Sequence, residues 1–148
     1  MSAELSIAGG ERRVFAASLG ALPAAAVFID AFCARNGVES ADALRLMLVV
    51  EELFTNSVKH GYGGESDAPV ELTLAAAPGE ITLLYEDEAP AYDPLAQLPA
   101  APDHLHGTVE TRPTGGLGVH LIRELVTNAR YAREAGRNRL WLRMDCGG

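Results

Sequence analysis

Residues 69–87 restrict the fold more than any other stretch of this chain. Pro69–Ala77 (PVELTLAAA) and Glu80–Asp87 (EITLLYED) each alternate apolar and polar positions, and only Pro78-Gly79 separates them. Two alternating runs around a Pro-Gly pair predict an antiparallel hairpin. Ahead of it the period changes to that of helices. Leu22–Asn36 reads as an amphipathic helix with Pro23 in its first turn and Gly37 as its stop. Ala41 to about His60 reads as a second, with Ser40 as its cap and Asp42 in its first turn. Leu44, Met47, Leu48, Phe54 and Val58 supply its helical-period apolar positions, and Gly61 ends it.

Arg12–Ser18 is a further strand candidate, and Ala129–Arg133 with Asn138–Met144 forms a closing hairpin around Ala135-Gly136. Gly118–Thr127 reads as a short helix. Between them, Asp93–Pro113 is rich in Pro, Ala and Gly and lacks periodicity. A loop that long inside a compact domain is usually functional. The order of elements predicts an α+β fold: a two-layer α/β sandwich, its mixed sheet mostly antiparallel, with helices on one face. No linker divides the 148 residues, so a single domain is expected over 1–148. A chain of this length buries roughly 68–70% of its unfolded surface, enough for a core without staples.

Charge narrows the partners. The chain carries 20 acidic and 12 basic residues and a formal charge of −8. A nucleic-acid or anionic-membrane binder needs a basic face, so neither is expected. Met1–Gly10 has no basic, apolar leader pattern and no stretch is long enough to span a membrane, which reads as a cytoplasmic protein. Cys33 and Cys146 make neither a disulfide framework nor a zinc site; Cys33 reads as a core residue and Cys146 as part of a frayed end. Between Lys59 and Arg112 there is no Lys or Arg, while ten acidic residues fall there.

Three constellations carry chemistry. Glu52 and Asn56 lie four residues apart on the second helix and share a face. The carboxylate can accept a proton and the carboxamide can offer an oxygen to Mg²⁺, although the spacing equally describes a solvated polar stripe. Glu86-Asp87-Glu88 ends a strand, where an ionised carboxylate accepts from an exocyclic amine or forms an ordinary acidic turn. Thr114-Gly115-Gly116-Leu117-Gly118 precedes a helix, where glycines and free N–H groups admit a phosphate.

In this order and spacing the three resemble the Bergerat, histidine-kinase-like ATPase fold. The closer resemblance is to the small bacterial anti-sigma-factor serine/threonine kinases. Their Glu-x-x-Thr-Asn stands here at Glu52–Asn56, their His-Gly-Tyr at His60–Tyr62, and their Asp-Pro pair at Asp93-Pro94. Their Gly-Gly-Leu-Gly stands at Gly115–Gly118, and the similarity runs from about Arg12 to Met144. The resemblance implies ATP and Mg²⁺ as cofactors, Glu52 as general base and Asn56 as the Mg²⁺ ligand. It implies that Asp87 reads the adenine amine and that residues 94–114 form the ATP lid. Lys59, His60, Ala89, Tyr92, Thr114, Gly115, Gly116, Leu117 and Gly118 complete the expected nucleotide contacts.

The activity implied is phosphorylation of a STAS-type anti-sigma-factor antagonist, with a sigma factor as the competing partner and a homodimer as the form such kinases often take. An ATP-gated binding module without phosphotransfer is the alternative. Two positions depart from the family pattern. The glycine two residues after the adenine aspartate is Ala89 here, which weakens binding if that position needs a positive φ. The basic residue two before the Gly-x-Gly is Thr114, leaving Arg112 as the nearest base; His104 and His106 also fall in the lid.

Overall fold

The computed structural model describes Ile7, residues 9–93, Ile122 and residues 124–146. The central hairpin has the expected bounds: β2 (Pro69–Ala77) pairs antiparallel with β3 (Glu80–Asp87), from Val70 opposite Asp87 to Ala77 opposite Glu80. Gly79 adopts a φ of 77°, the left-handed conformation required after Pro78 in a two-residue turn. β1 (Glu11–Ala16) adds to the outer edge of β2. On the other side β5 (Arg137–Asp145) pairs with β3, and β4 (Asn128–Glu134) pairs with β5. The strand order is β1-β2-β3-β5-β4. Every pairing among the described strands is antiparallel, so the mixed sheet expected from sequence is replaced by a uniformly antiparallel one.

Helices α1 (Leu22–Arg35) and α2 (Ser40–Asn56) share one buried cluster with one face of this sheet. Phe28, Ile29 and Phe32 of α1 join Val49, Val50, Leu53 and Phe54 of α2. The sheet contributes Phe15, Val70, Leu72, Leu74, Ile81, Leu83, Leu140, Leu142 and Met144, the alternate positions of four strands. Phe54 meets Phe15 and Tyr85 edge-on at centroid distances of 6.2 and 6.4 Å.

The face turned away from the helices carries charge. Arg137 lies 3.2 Å from Glu71 and 3.5 Å from Glu86, and Arg139 bonds Glu86 at 2.9 Å and Glu134 at 2.7 Å. Trp141 lies beneath the guanidiniums of Arg130 and Arg139, 5.0 and 4.8 Å from its ring centroid. None of the described helices is long and apolar enough to cross a membrane.

Several boundaries differ from the sequence expectation for local reasons. β1 ends at Ala16 because Ser18 turns its Oγ to accept from Gly20 N, capping the short 3₁₀ turn Leu19–Ala21. Ser40 is the first helical residue of α2 rather than its cap; Glu39 holds the cap position without a side-chain bond. The second helix ends at Asn56, not His60, and continues as a five-residue π-helical turn, Ser57–Gly61. Its buried stripe is Leu46, Val49, Val50, Leu53 and Phe54, while Leu44 is 61% exposed and Met47 and Leu48 are half-buried. Cys33 is in the core as expected. Cys146 is not frayed: its N–H donates to Gly79 O at 2.8 Å and it packs on the core. Of the expected Gly118–Thr127 helix, Ile122, Glu124 and Leu125 are described and helical.

Candidate functional site

The end of α2 and the tips of β3 and β5 enclose a narrow cleft. α2 and the turn after it contribute Leu53, Asn56 and Ser57, and β3 contributes Tyr85 and Asp87. Tyr131, Asn138 and Leu140 form the far wall, with Tyr92 at the rim. All four tyrosines of the chain gather at this end of the sheet.

Asp87 is 7% exposed and anchored by three donors. Its Oδ2 accepts from Ser57 Oγ at 2.6 Å, and its Oδ1 accepts from Asn138 Nδ2 at 2.8 Å and Ala89 N at 3.3 Å. A carboxylate has about four acceptor positions, so one on Oδ2 remains for a ligand donor. Ser57 also lies 2.7 Å from the Tyr85 hydroxyl, which donates to Leu53 O at 3.0 Å. Burial pushes the Tyr85 hydroxyl well above the usual phenol range, Ser57 opposing, so the group stays neutral.

Glu52 and Asn56 stack one turn apart on α2, as the spacing predicts. Glu52 is half-buried and Asn56 is 3% exposed. Glu52 Oε2 and Asn56 Nδ2 are both buried without a hydrogen-bond partner in the described structure. Leaving such atoms unmatched is costly, and this acceptor and donor, one turn apart beside the cleft, are satisfied either by each other or by a bound ligand. Burial raises the Glu52 carboxyl above the ordinary glutamate value; neighbouring Glu51 adds to this, while Asn56 and Lys59 oppose it. A carboxylate tuned upward is a better proton acceptor near neutral pH.

The remaining expected residues divide. Tyr92 lines the cleft and its N–H donates to Asn138 Oδ1 at 3.1 Å. Lys59 and His60 are exposed on the π-helical turn, outside the cleft lining. Ala89 is 1% exposed, is not among the residues lining the cleft, and sets its methyl against Gly61, where an added Cβ would stand 2.9 Å away. Its φ is not positive, so alanine fits the position without backbone strain. Thr114, Gly115, Gly116, Leu117 and Gly118 lie outside the described residues, as do residues 94–114 with His104, His106 and Arg112.

Sequence reasoning missed Ser57, Tyr85, Tyr131, Arg133 and Asn138. The register supplies the signal that was available: Asn138 stands directly opposite Asp87 across β3 and β5. A polar residue opposite an acidic strand end is recognisable once that pairing is drawn.

The Histidine kinase-like ATPase domain family matches residues 15–144. The serine/threonine-protein kinase BtrW of Bordetella bronchiseptica is 32% identical over 97 residues, covering 66% of each chain. The serine-protein kinase RsbW of Bacillus licheniformis is 23% identical over 112 residues, covering 73% of this chain and 68% of that protein. The chain thus aligns with about two thirds of the length of these relatives. Among solved structures, the RsbU and RsbW domains of Rv1364c from Mycobacterium tuberculosis superpose with a TM-score of 0.62 at 18% identity. That match covers 93% of this chain and 32% of the other. The SiaB-SiaC complex of Pseudomonas aeruginosa gives 0.54 at 15% identity over 90% of this chain and 88% of the other. These superpositions show a shared fold, and the family match spans the helices, the cleft and all of the sheet except Glu11–Val14 and Asp145. The chain belongs to the family of histidine kinase-like ATPase domains.

Proposed function

We propose that this domain binds ATP with Mg²⁺ in the cleft between α2 and the β3–β5 tips and phosphorylates a serine or threonine of a partner protein. The observation that carries the reading is Glu52: a carboxylate with a buried, unpartnered oxygen and a raised pKa, one turn from Asn56. A domain that only held nucleotide would have no use for such a base. The relatives named as serine and serine/threonine protein kinases support the same reading.

In this reading the partner's hydroxyl oxygen attacks the terminal phosphorus, its proton passes to Glu52, and ADP leaves. Asp87 accepts from the adenine amine with its remaining lone pair, and the apolar wall of Leu53 and Leu140 holds the ring. Asn56 is suited by its carboxamide oxygen to hold Mg²⁺, which when bound neutralises charge on the phosphates. Positioning and charge stabilisation supply most of the acceleration in such transfers. The partner, from the resemblance alone, is an anti-sigma-factor antagonist of STAS type. Its phosphorylation would release it and free the kinase to hold a sigma factor.

The test is incubation with γ-labelled ATP, Mg²⁺ and a STAS-type anti-sigma-factor antagonist, comparing the native protein with Glu52→Gln. Transfer that disappears in the variant while ATP binding persists supports the kinase. Absence of transfer by the native protein, with partner binding retained, supports an ATP-gated binding module instead.

A further inference from the structure

Asn138 joins four segments, and both polar atoms of its side chain are fully used. Oδ1 accepts from the Tyr92 backbone N–H at 3.1 Å, the Tyr131 hydroxyl at 2.6 Å and Arg133 Nη1 at 3.2 Å. Nδ2 donates to Asp87 Oδ1 at 2.8 Å and shares its second hydrogen between Pro90 O at 3.1 Å and Ala89 O at 3.2 Å. The amide therefore has one permitted orientation. Turned over, its N–H groups would face the N–H groups of Tyr92 and Arg133, which cannot accept. Its oxygen would then meet the Asp87 carboxylate and two carbonyl oxygens.

Arg133 is the cationic member of this arrangement, as Asp87 is its anionic one. The same Nη1 that reaches Asn138 donates to Ala89 O at 2.6 Å, so one guanidinium fixes both the amide and the backbone that follows β3. Hydrogen bonds from a charged donor are roughly twice as strong as neutral ones. The orientation matters for the site because Asn138 Nδ2 occupies Asp87 Oδ1, leaving the free acceptor position on Oδ2. A reversed amide would set its oxygen against Asp87 Oδ1, on the carboxylate that has to read a ligand's amine.

We propose that Arg133 is a positioning residue of the nucleotide site, holding the Asn138 amide toward Asp87 so that Asp87 prefers a purine bearing a 6-amino group over one bearing a 6-oxo group. This rests on the reading that the base binds at Asp87. Tyr131, donating to the same oxygen, contributes in the same direction and more weakly.

The experiment is calorimetric titration of Mg²⁺-ATP and Mg²⁺-ITP, which differ at that group, into the native protein, Arg133→Ala, Arg133→Lys, Tyr131→Phe and Asp87→Asn. The native protein is expected to prefer ATP by about tenfold or more, the scale of one charge-assisted hydrogen bond. Arg133→Ala lowers the ratio by about fivefold, the Tyr92 N–H and Tyr131 still holding Oδ1, while Arg133→Lys keeps most of it and Tyr131→Phe lowers it by about threefold. A structural role alone would weaken both nucleotides together, so an unchanged ratio in Arg133→Ala overturns the proposal. Should Arg133→Ala fail to fold, an unchanged ratio in Tyr131→Phe overturns it. If Asp87→Asn also leaves the native ratio intact, the base is not read at Asp87 and the underlying reading fails first.

Discussion

Gly61 and Ala89 fit together as a complementary pair: a Cβ at position 61 would stand 2.9 Å from the Ala89 Cβ. Real Cβ atoms do not approach so closely, so the methyl after β3 and the bare backbone of the π-helical turn share one space. The resemblance made Ala89 a departure that threatened the nucleotide. The structure shows its methyl pointing at Gly61 instead. Gly61→Ala should therefore destabilise the domain by about 1–3 kcal/mol through overpacking. Ala89→Gly alone should cost about 1 kcal/mol and leave ATP affinity unchanged. Urea unfolding of the double variant should recover part of the Gly61→Ala loss, with a coupling of about 1 kcal/mol or more. Strict additivity of the two single effects would show that the pair is not in contact.

Glu52 shows the opposite balance between stability and activity. Its carboxyl is raised by burial, so its contribution to stability is fully present below the unfolded-state value and is lost as pH rises through the folded one. At neutral pH the charged side chain thus opposes folding, and Glu52→Gln should unfold at a higher temperature than the native protein. The advantage should vanish near pH 3, where both side chains are neutral. Phosphotransfer should fall by about 10²–10⁴-fold, the usual worth of a general base, while ATP binding persists. The native rate should show an acidic limb with a midpoint above the ordinary glutamate value. A variant that loses stability at pH 7 would contradict this assignment of strain.

Much of this was legible in the sequence, and the failures have physical causes. The β2–β3 hairpin was read to the residue because alternation and a Pro-Gly turn both specify it. The phase of α2 was not, because Leu46, Met47, Leu48, Val49 and Val50 are all apolar and periodicity cannot choose between them. The sheet makes the choice by burying Leu46, Val49 and Val50. Glu52, Asn56 and Asp87 were visible as spaced motifs. Asn138, Arg133 and Tyr131 were not, because their role comes from pairing across strands distant in sequence.

The β4–β5 turn offers a test of backbone strain. Ala135 and Gly136 have φ values of 53° and 77°, the pair of positive angles that a two-residue turn of the mirror-image type demands. Glycine accepts this freely, whereas an alanine Cβ crowds the following carbonyl at a cost of about 1–2 kcal/mol. Ala135→Gly, and more so Ala135→Asn, should raise stability by about 0.5–1 kcal/mol in urea unfolding. Both positions are exposed, so no packing is lost. A fall in stability with Asn would mean that the turn holds another conformation in solution.

Metal dependence follows from charge. ATP brings about four negative charges to a chain of net charge −8 whose residues 60–111 contain no Lys or Arg. Arg133, the described cation bonded to the base-binding end of the cleft, is engaged with Ala89 and Asn138. Arg137, close by, lies against Glu71, Glu86 and Glu88. Lys59, whose charge reaches Glu52, offers the phosphates one positive charge against about four negative ones, so a divalent ion at Asn56 has to supply the rest of the field. Calorimetric ATP affinity should fall by about tenfold or more in EDTA, and Asn56→Ala should reproduce most of that loss with Mg²⁺ present. Adenosine, which carries no phosphate, should bind weakly and equally with and without the metal. Native affinity for ATP in EDTA would remove Mg²⁺, and Asn56 as its ligand, from the mechanism.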